Sequence, residues 1–276
     1  MKEGMNEKQP YDLPSAVENS QEIVSKIGAR KPILFLDYDG TLTPIVSDPE
    51  EAILSDEMKK LIKEIADYIS VVIISGRDRE NVSSKVGLPE LIYAGSHGFD
   101  IKGPNDLEKQ HEEGQNVLPD LDEAERNLTE RLKGIGGVQV ERKKYAIAVH
   151  YRNVEKSKTR EVKDAVLEEL KQQPNLKKGG GKKIRELKPD LDWNKGKALT
   201  WLKDTLGSER DHLFPVYIGD DITDEDAFEE IAEDGVGIIV GSHDQETRAT
   251  YSLRNFSEVI RFLEEFKKSL KKEDIS

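Results

Sequence analysis

Several short runs of this chain are apolar at every position and end abruptly at small or acidic residues. Ile33-Leu34-Phe35-Leu36 stops at Asp37-Tyr38-Asp39-Gly40-Thr41, and Val71-Val72-Ile73-Ile74 stops at Ser75-Gly76-Arg77. Leu91-Ile92-Tyr93-Ala94 stops at Gly95-Ser96-His97-Gly98, and Val216-Tyr217-Ile218 at Gly219-Asp220-Asp221. Uninterrupted Val, Ile, Leu and Phe mark strands covered on both faces, the signature of a parallel sheet. Between these runs the period changes to that of helices. Ser55 is placed to cap a helix running to about residue 68, and another spans about 78–86, so strand, helix and strand form a βαβ unit. Val17, Ile23, Val24 and Ile27 predict a lead-in helix over 15–27, stopped by Gly28.

The pattern then shifts. Residues 102–115 are polar and contain Gly103, Pro104 and Gly114, as a linker would. A helix is expected near 121–132, and residues 138–142 and 146–152 alternate as half-buried strands do, predicting an antiparallel pair joined near Lys143-Lys144. A helix near 154–170 and a strand near 183–187 complete a small α+β unit. Asp192 restarts the first pattern, with a helix over 195–206 and strands at 216–219 and 236–240. The chain thus reads as an α/β core of Rossmann-like parallel-sheet type, residues 13–104 and 190–276, carrying an inserted α+β domain, residues 105–189. Residues 1–12 are expected to be a disordered N-terminal segment, and the Lys/Glu-rich tail after Phe266 a solvated, fraying helix end.

Composition narrows the function classes. Lys and Arg number 42 against 55 Asp and Glu, a formal net charge of -13 over 276 residues. Such a chain is ill suited to binding nucleic acid or anionic membranes by bulk charge. No stretch approaches the ~18 apolar residues of a spanning helix, and residues 1–10 lack the apolar segment of a signal peptide. A cytoplasmic monomer with no nucleic-acid or membrane partner is the expectation. There is no Cys, which removes disulfides and thiolate metal sites.

If the runs are parallel strands, their carboxyl ends lie along one sheet edge, where ligands bind in open α/β sheets. That edge collects Asp37, Asp39, Ser75, residues 95–98, Asp220 and Asp221. Carboxylates gathered there repel one another unless a cation is present, and hard oxygen ligands suit Mg²⁺. Asp37, Asp39 and Asp220 are therefore the predicted magnesium site, able to take a phosphate oxygen as a further ligand. An anionic substrate approaching so acidic a chain needs that local positive charge.

Asp37-x-Asp39-Gly40-Thr41, then Ser75, then a Lys, then Gly219-Asp220-Asp221-x-x-Asp224 resembles, in order, the four-part signature of the haloacid dehalogenase superfamily. The resemblance implies a phosphatase with Asp37 as nucleophile, Asp39 as general acid and base with its backbone carbonyl on the metal, and a phosphate cradle of Thr41, Ser75, Gly76 and a lysine. Lys195 matches the family position best, with Lys197 as the alternative. Asp220 would ligate Mg²⁺, with Asp221 and Asp224 orienting groups around it.

Over most of the chain the resemblance narrows to trehalose-6-phosphate phosphatases, the plant enzymes in particular through Tyr251-Ser252-Leu253-Arg254. In that family the inserted domain is a mobile cap that holds the sugar. Gly181-Lys182-x-x-x-Glu186 resembles its sugar-contacting motif, and with Glu141 and His97 completes the sugar-binding set that the resemblance implies. Lys188 stands where the family more often has Arg, keeping the charge without the bidentate fork. The implied activity is Mg²⁺-dependent hydrolysis of trehalose 6-phosphate through an aspartyl-phosphate. The alternatives are a phosphatase for sucrose phosphate or glucosylglycerol phosphate, a phosphomutase, and a silent sugar-phosphate sensor.

Overall fold

In the computed structural model, which describes residues 12–46, 48–180, 183–207 and 212–273, the apolar runs become strands of one sheet. Helix α1 (Ser20–Ile27) precedes β1 (Lys31–Leu36), α2 (Asp56–Ala66), β2 (Ser70–Ile74), α3 (Arg79–Val86) and β3 (Ile92–Gly95). Short strands β4 (Asp100–Lys102) and β5 (Glu108–Gln110) follow. The inserted segment contributes α4 (Glu112–Asn116), α5 (Leu118–Leu132), β6 (Gln139–Lys143), β7 (Ala146–His150), α6 (Thr159–Gln172), β8 (Leu176–Gly179) and β9 (Ile184–Pro189). The chain then returns through α7 (Lys195–Leu206), β10 (Leu213–Gly219), α8 (Glu225–Glu230), β11 (Val236–Val240), β12 (Tyr251–Leu253) and α9 (Phe256–Glu273).

Two compact units result, one formed by the chain up to Glu108 and from Trp193 onward, the other by Lys109–Asp192. The first unit is built on a sheet of order β12-β11-β10-β1-β2-β3-β4-β5, parallel from β12 to β3, with β4 antiparallel to β3. Both faces of β1 are covered, as its unbroken apolar run requires. Leu34 and Leu36 join the cluster containing Ile62, Ile65 and Phe262, whereas Ile33 and Phe35 join that containing Leu199, Leu202 and Phe228. Helix α2 shows how one layer is made: Ser55 accepts a hydrogen bond from Met58 N, and Met58, Leu61, Ile62 and Ile65 fall on one buried face. Burying each such side chain contributes about 1.5–3 kcal/mol. The second unit is a four-stranded sheet, β6-β7-β9-β8, whose Ile147, Val149 and Leu187 pack with Leu121, Leu128 and Val162 of the helices.

Several expectations are corrected. The lead-in helix is shorter than its apolar periodicity implied, because residues 13–16 pair with Ser252 of β12 and residues 16–19 form a turn before the helix starts at Ser20. The polar stretch 102–115 holds β5 and α4 as well as turns; β5 is an edge strand made of Glu, Lys and Gln, and so carries no apolar signal. Strands β8 and β12 escaped the pattern for similar reasons of length and polarity. Helix α9 continues through Glu273 instead of fraying after Phe266, since Leu270 is buried against the core. The N-terminal expectation falls almost wholly on residues 1–11, outside the described residues. Among the described residues no helix is long and apolar enough to cross a membrane.

Candidate active site

Strands β10, β1, β2 and β3 are sheet neighbours and run parallel, so the loops leaving them share one edge. Asp37 leaves β1 directly and is 5% exposed. Its Oδ1 accepts a 2.7 Å hydrogen bond from the ammonium of Lys195, the first residue of α7 and itself almost wholly buried. The same ammonium donates to Asp224 Oδ1 at 2.7 Å. Between the two candidate lysines, it is Lys195 that joins this cluster; the Lys197 backbone N–H is taken by the Asn194 cap.

Asp224 is the hub of the arrangement. Its Oδ1 also accepts from the Tyr217 hydroxyl at 2.6 Å, and its Oδ2 accepts from the backbone N–H groups of Asp220 and Asp221 at 3.0 Å. With both oxygens saturated, Asp224 organises its neighbours more readily than it could ligate a metal. The Asp221 carboxylate is exposed, and its backbone N–H donates to Asp224 Oδ2. Asp220 is different: its Oδ1 is buried with no hydrogen-bond partner among the described residues. Gly40, at φ +86, makes room for it, since a Cβ there would lie 2.0 Å from Asp220 Oδ2.

Asp39 turns its carboxylate to Arg77, whose Nε and Nη2 donate at 2.7 and 2.6 Å to its two oxygens. Arg77 is fixed in turn by the Pro49 carbonyl and Asn81. Ser75 is buried at the end of β2, and its Oγ accepts from Arg77 N. Thr41 is fully buried and its hydroxyl meets no hydrogen-bond partner among the described residues. His97, at φ +57, follows Ser96 at φ +51, two successive residues in a conformation side chains disfavour. The backbone is pinned there by His97 N donating to Ser75 O at 2.9 Å and Ser96 N to Arg77 O at 2.7 Å. The imidazole lies over Gly76, where a Cβ would come 2.9 Å from its Cε1.

Residues 35–257 match the trehalose-phosphatase family. The chain belongs to that family. It is 43% identical to probable trehalose-phosphate phosphatase E of Arabidopsis thaliana over 91% of this chain and 74% of that one. It is 40% identical to trehalose 6-phosphate phosphatase RA3 of Zea mays, over 91% and 73%. A solved structure of Aspergillus fumigatus trehalose-6-phosphate phosphatase aligns with TM-score 0.65 at 29% identity, covering 93% of this chain and 99% of that one. A haloacid dehalogenase-like hydrolase from Bacteroides thetaiotaomicron aligns with TM-score 0.60 over 85% and 99%; at 16% identity it shows the shared fold alone. The fold is therefore the capped haloacid dehalogenase type, and the family is one of phosphoric monoester hydrolases.

The electrostatics of this trehalose-phosphatase family site fit a divalent cation. Asp37, Asp220 and Asp224 offer carboxylate oxygens within 4.8 Å of one another. Among the described residues, these three carboxylates face the one Lys195 ammonium, which leaves two negative charges uncompensated, the charge of one divalent ion. Without a cation, protons must take that place. Burial, reinforced by the charges of Asp37 and Asp224, pushes the Asp220 carboxyl up to about 9. Burial likewise pushes Asp37 up to about 7 despite the opposing pull of Lys195. Burial would lower the Lys195 ammonium, but Asp224 and Asp37 overcome it and hold the group charged. The unpartnered Oδ1 of Asp220 and the all-oxygen donor set suit a hard cation such as Mg²⁺.

In the inserted unit, Glu141 and Glu186 lie on one face of the sheet, in register on either side of Ala148. His150 Nε2 is 2.7 Å from Glu141, and Lys143 Nζ donates to Glu186 at 3.1 Å. Lys182, assigned with them from sequence, lies outside the described residues. Sequence reasoning gave no role to Arg77, Tyr217, Lys143 or His150. Arg77 had one signal, a cation directly after a predicted strand end. Tyr217 had none, because within an apolar run its ring reads as core.

Proposed function

We propose that this protein hydrolyses trehalose 6-phosphate to trehalose and phosphate through a phosphorylated Asp37. The observation that carries the reading is the set Asp37, Lys195, Asp224 and Asp220, gathered where β1 and β10 end and α7 begins. The chemistry follows from the placement of each group. A divalent cation such as Mg²⁺, when held by Asp37, Asp220 and the backbone carbonyl of Asp39, supplies neutralisation of phosphoryl charge. Asp37 attacks phosphorus with its free oxygen while Lys195 fixes the other, and the P–O bond to the sugar breaks. Thr41 and Ser75 donate hydrogen bonds to phosphoryl oxygens. Asp39 gives a proton to the departing sugar oxygen and then takes one from the water that cleaves the aspartyl-phosphate. For this the Asp39 carboxylate must leave the Arg77 fork that occupies both its oxygens.

Glu141, Lys182, Glu186 and His97 are the proposed sugar contacts. Glu141 and Glu186 present a polar sheet face with partners that sugar hydroxyls could replace. The relatives' names favour trehalose 6-phosphate over sucrose phosphate or glucosylglycerol phosphate. We place the enzyme in the cytoplasm, as a monomer.

Phosphate release from a panel of sugar phosphates, with and without Mg²⁺, tests the reading. Trehalose 6-phosphate should give the highest kcat/KM, chelation should abolish turnover, and Asp37→Asn should lower it by at least about 10³-fold. Acid-quenched enzyme should carry one phosphoryl group on Asp37 by peptide mass spectrometry. A better substrate elsewhere in the panel would overturn the specificity, and an active Asp37→Asn the mechanism.

A further inference from the structure

Lys195 serves two carboxylates at once, 2.7 Å from Asp37 Oδ1 and 2.7 Å from Asp224 Oδ1. How strongly Asp224 draws the ammonium away from Asp37 depends on the charge left on that one oxygen. A third group shares it: the Tyr217 hydroxyl, donating at 2.6 Å. Asp224 cannot turn to compensate for a change there, because its other oxygen is pinned by two backbone N–H groups.

Tyr217 lies fully buried on β10, its ring stacked on Phe35 at 6.3 Å between centroids and edge-on to Phe228 at 5.5 Å. Phenylalanine would satisfy those ring contacts equally well. What distinguishes tyrosine here is the hydrogen bond to Asp224. We infer that Tyr217 is a positioning residue for phosphoryl transfer, which holds part of the Asp224 charge and so leaves the Lys195 ammonium directed at Asp37. Hydrogen bonds linked through a buried oxygen influence one another, and charge-assisted ones are the strongest members of such sets. Removing the hydroxyl leaves Lys195 as the sole side-chain donor to Asp224 Oδ1 among the described residues. The ammonium then shifts toward Asp224, and positive charge is withdrawn from the nucleophile and from the phosphoryl oxygens beside it.

The inference rests on the phosphatase reading, and its test separates the two. In Tyr217→Phe, kcat for trehalose 6-phosphate should fall about 10-fold while KM changes by less than about twofold. Inhibition by vanadate, which adopts the five-coordinate geometry of the transferring group, should weaken by the same factor as kcat/KM; inhibition by inorganic phosphate should change less. A crystal structure of Tyr217→Phe should show the Lys195 Nζ to Asp37 Oδ1 distance lengthened from 2.7 Å. Phe228→Leu disturbs the same aromatic layer without touching the hydroxyl, and should lower the melting temperature with kcat retained. Unchanged kcat and vanadate inhibition in Tyr217→Phe, or equal losses of kcat in both variants, would overturn the inference. Should the wild-type protein turn over no phosphomonoester, the phosphatase reading falls, and the Lys195 position in the Tyr217→Phe crystal still decides the positioning.

Discussion

The carboxylates of the core unit and those of the inserted unit meet their bases in opposite ways. Asp37 and Asp224 share one lysine, and all three side chains are at most 7% exposed. Glu141 is 52% exposed beside His150, and Glu186 faces Lys143 with both about a fifth to a quarter exposed. In the first set, removing a partner strands a buried charge; in the second, water screens each pair, which is worth about 0–1 kcal/mol. A rigid, desolvated cluster suits the making and breaking of bonds to phosphorus. Weakly held pairs on a sheet face suit a ligand whose hydroxyls must displace them.

The largest effect that could break this contrast comes from Lys195→Ala. Leaving Asp37 and Asp224 buried without their cation should destabilise the protein by roughly 3–5 kcal/mol and lower kcat by about 10³-fold, read by denaturant melts and initial rates. A loss no greater than that of a surface variant would show that the cluster is not the tight unit described.

Asp220→Asn sharpens the same point through pH. The folded-state carboxyl is raised from the ordinary 3.8 to about 9 by burial and its neighbours. Its stabilising contribution is therefore complete below about 4 and is lost as pH rises toward 9 in the metal-free protein. In EDTA, Asp220→Asn should overtake wild type in unfolding free energy across that range, by on the order of a few kcal/mol near pH 8, read from denaturant melts. With millimolar Mg²⁺ the order should reverse, because only the wild-type site binds the cation well. Parallel pH profiles for the two proteins in EDTA would refute the burial argument.

Arg77→Lys has a smaller effect, at the boundary between the two kinds of pairing, since Asp39 is 47% exposed but gripped by a fork. Lysine keeps the charge and loses the second donor, which loosens the fork that Asp39 must leave, so kcat should change by less than about threefold with stability changed by under about 1 kcal/mol. Glu141→Gln should act least on the fold, by under about 0.5 kcal/mol, while raising KM for trehalose 6-phosphate about fivefold and leaving kcat nearly intact. A loss of kcat with KM unchanged would move Glu141 out of the sugar-binding set.

The legibility of the molecule follows the same division. Asp37, Ser75 and Asp220 could be placed from sequence because a buried strand must be apolar until it ends, and the first polar residue after it marks the sheet edge. Ser55 announced α2 because a cap hydroxyl precedes an apolar helical face. Strand β5, with Glu108, Lys109 and Gln110, could not be read, since an edge strand held by backbone hydrogen bonds imposes little on its side chains. Arg77 was visible as a residue and invisible as a partner. Its fork reaches Asp39, 38 positions away, and no local pattern records a contact across that separation.

By itself the sequence determined the parallel core, the interrupted order of its segments and the acidic residues at its strand ends, because burial and backbone pairing act on neighbours along the chain. Only the tertiary structure decided that Lys195 bridges Asp37 and Asp224, that Tyr217 completes that bridge from inside the core, and that Arg77 holds Asp39. Those contacts join residues from separate strands and helices, and their strength depends on distance and on the exclusion of water, which exist only once the chain has folded.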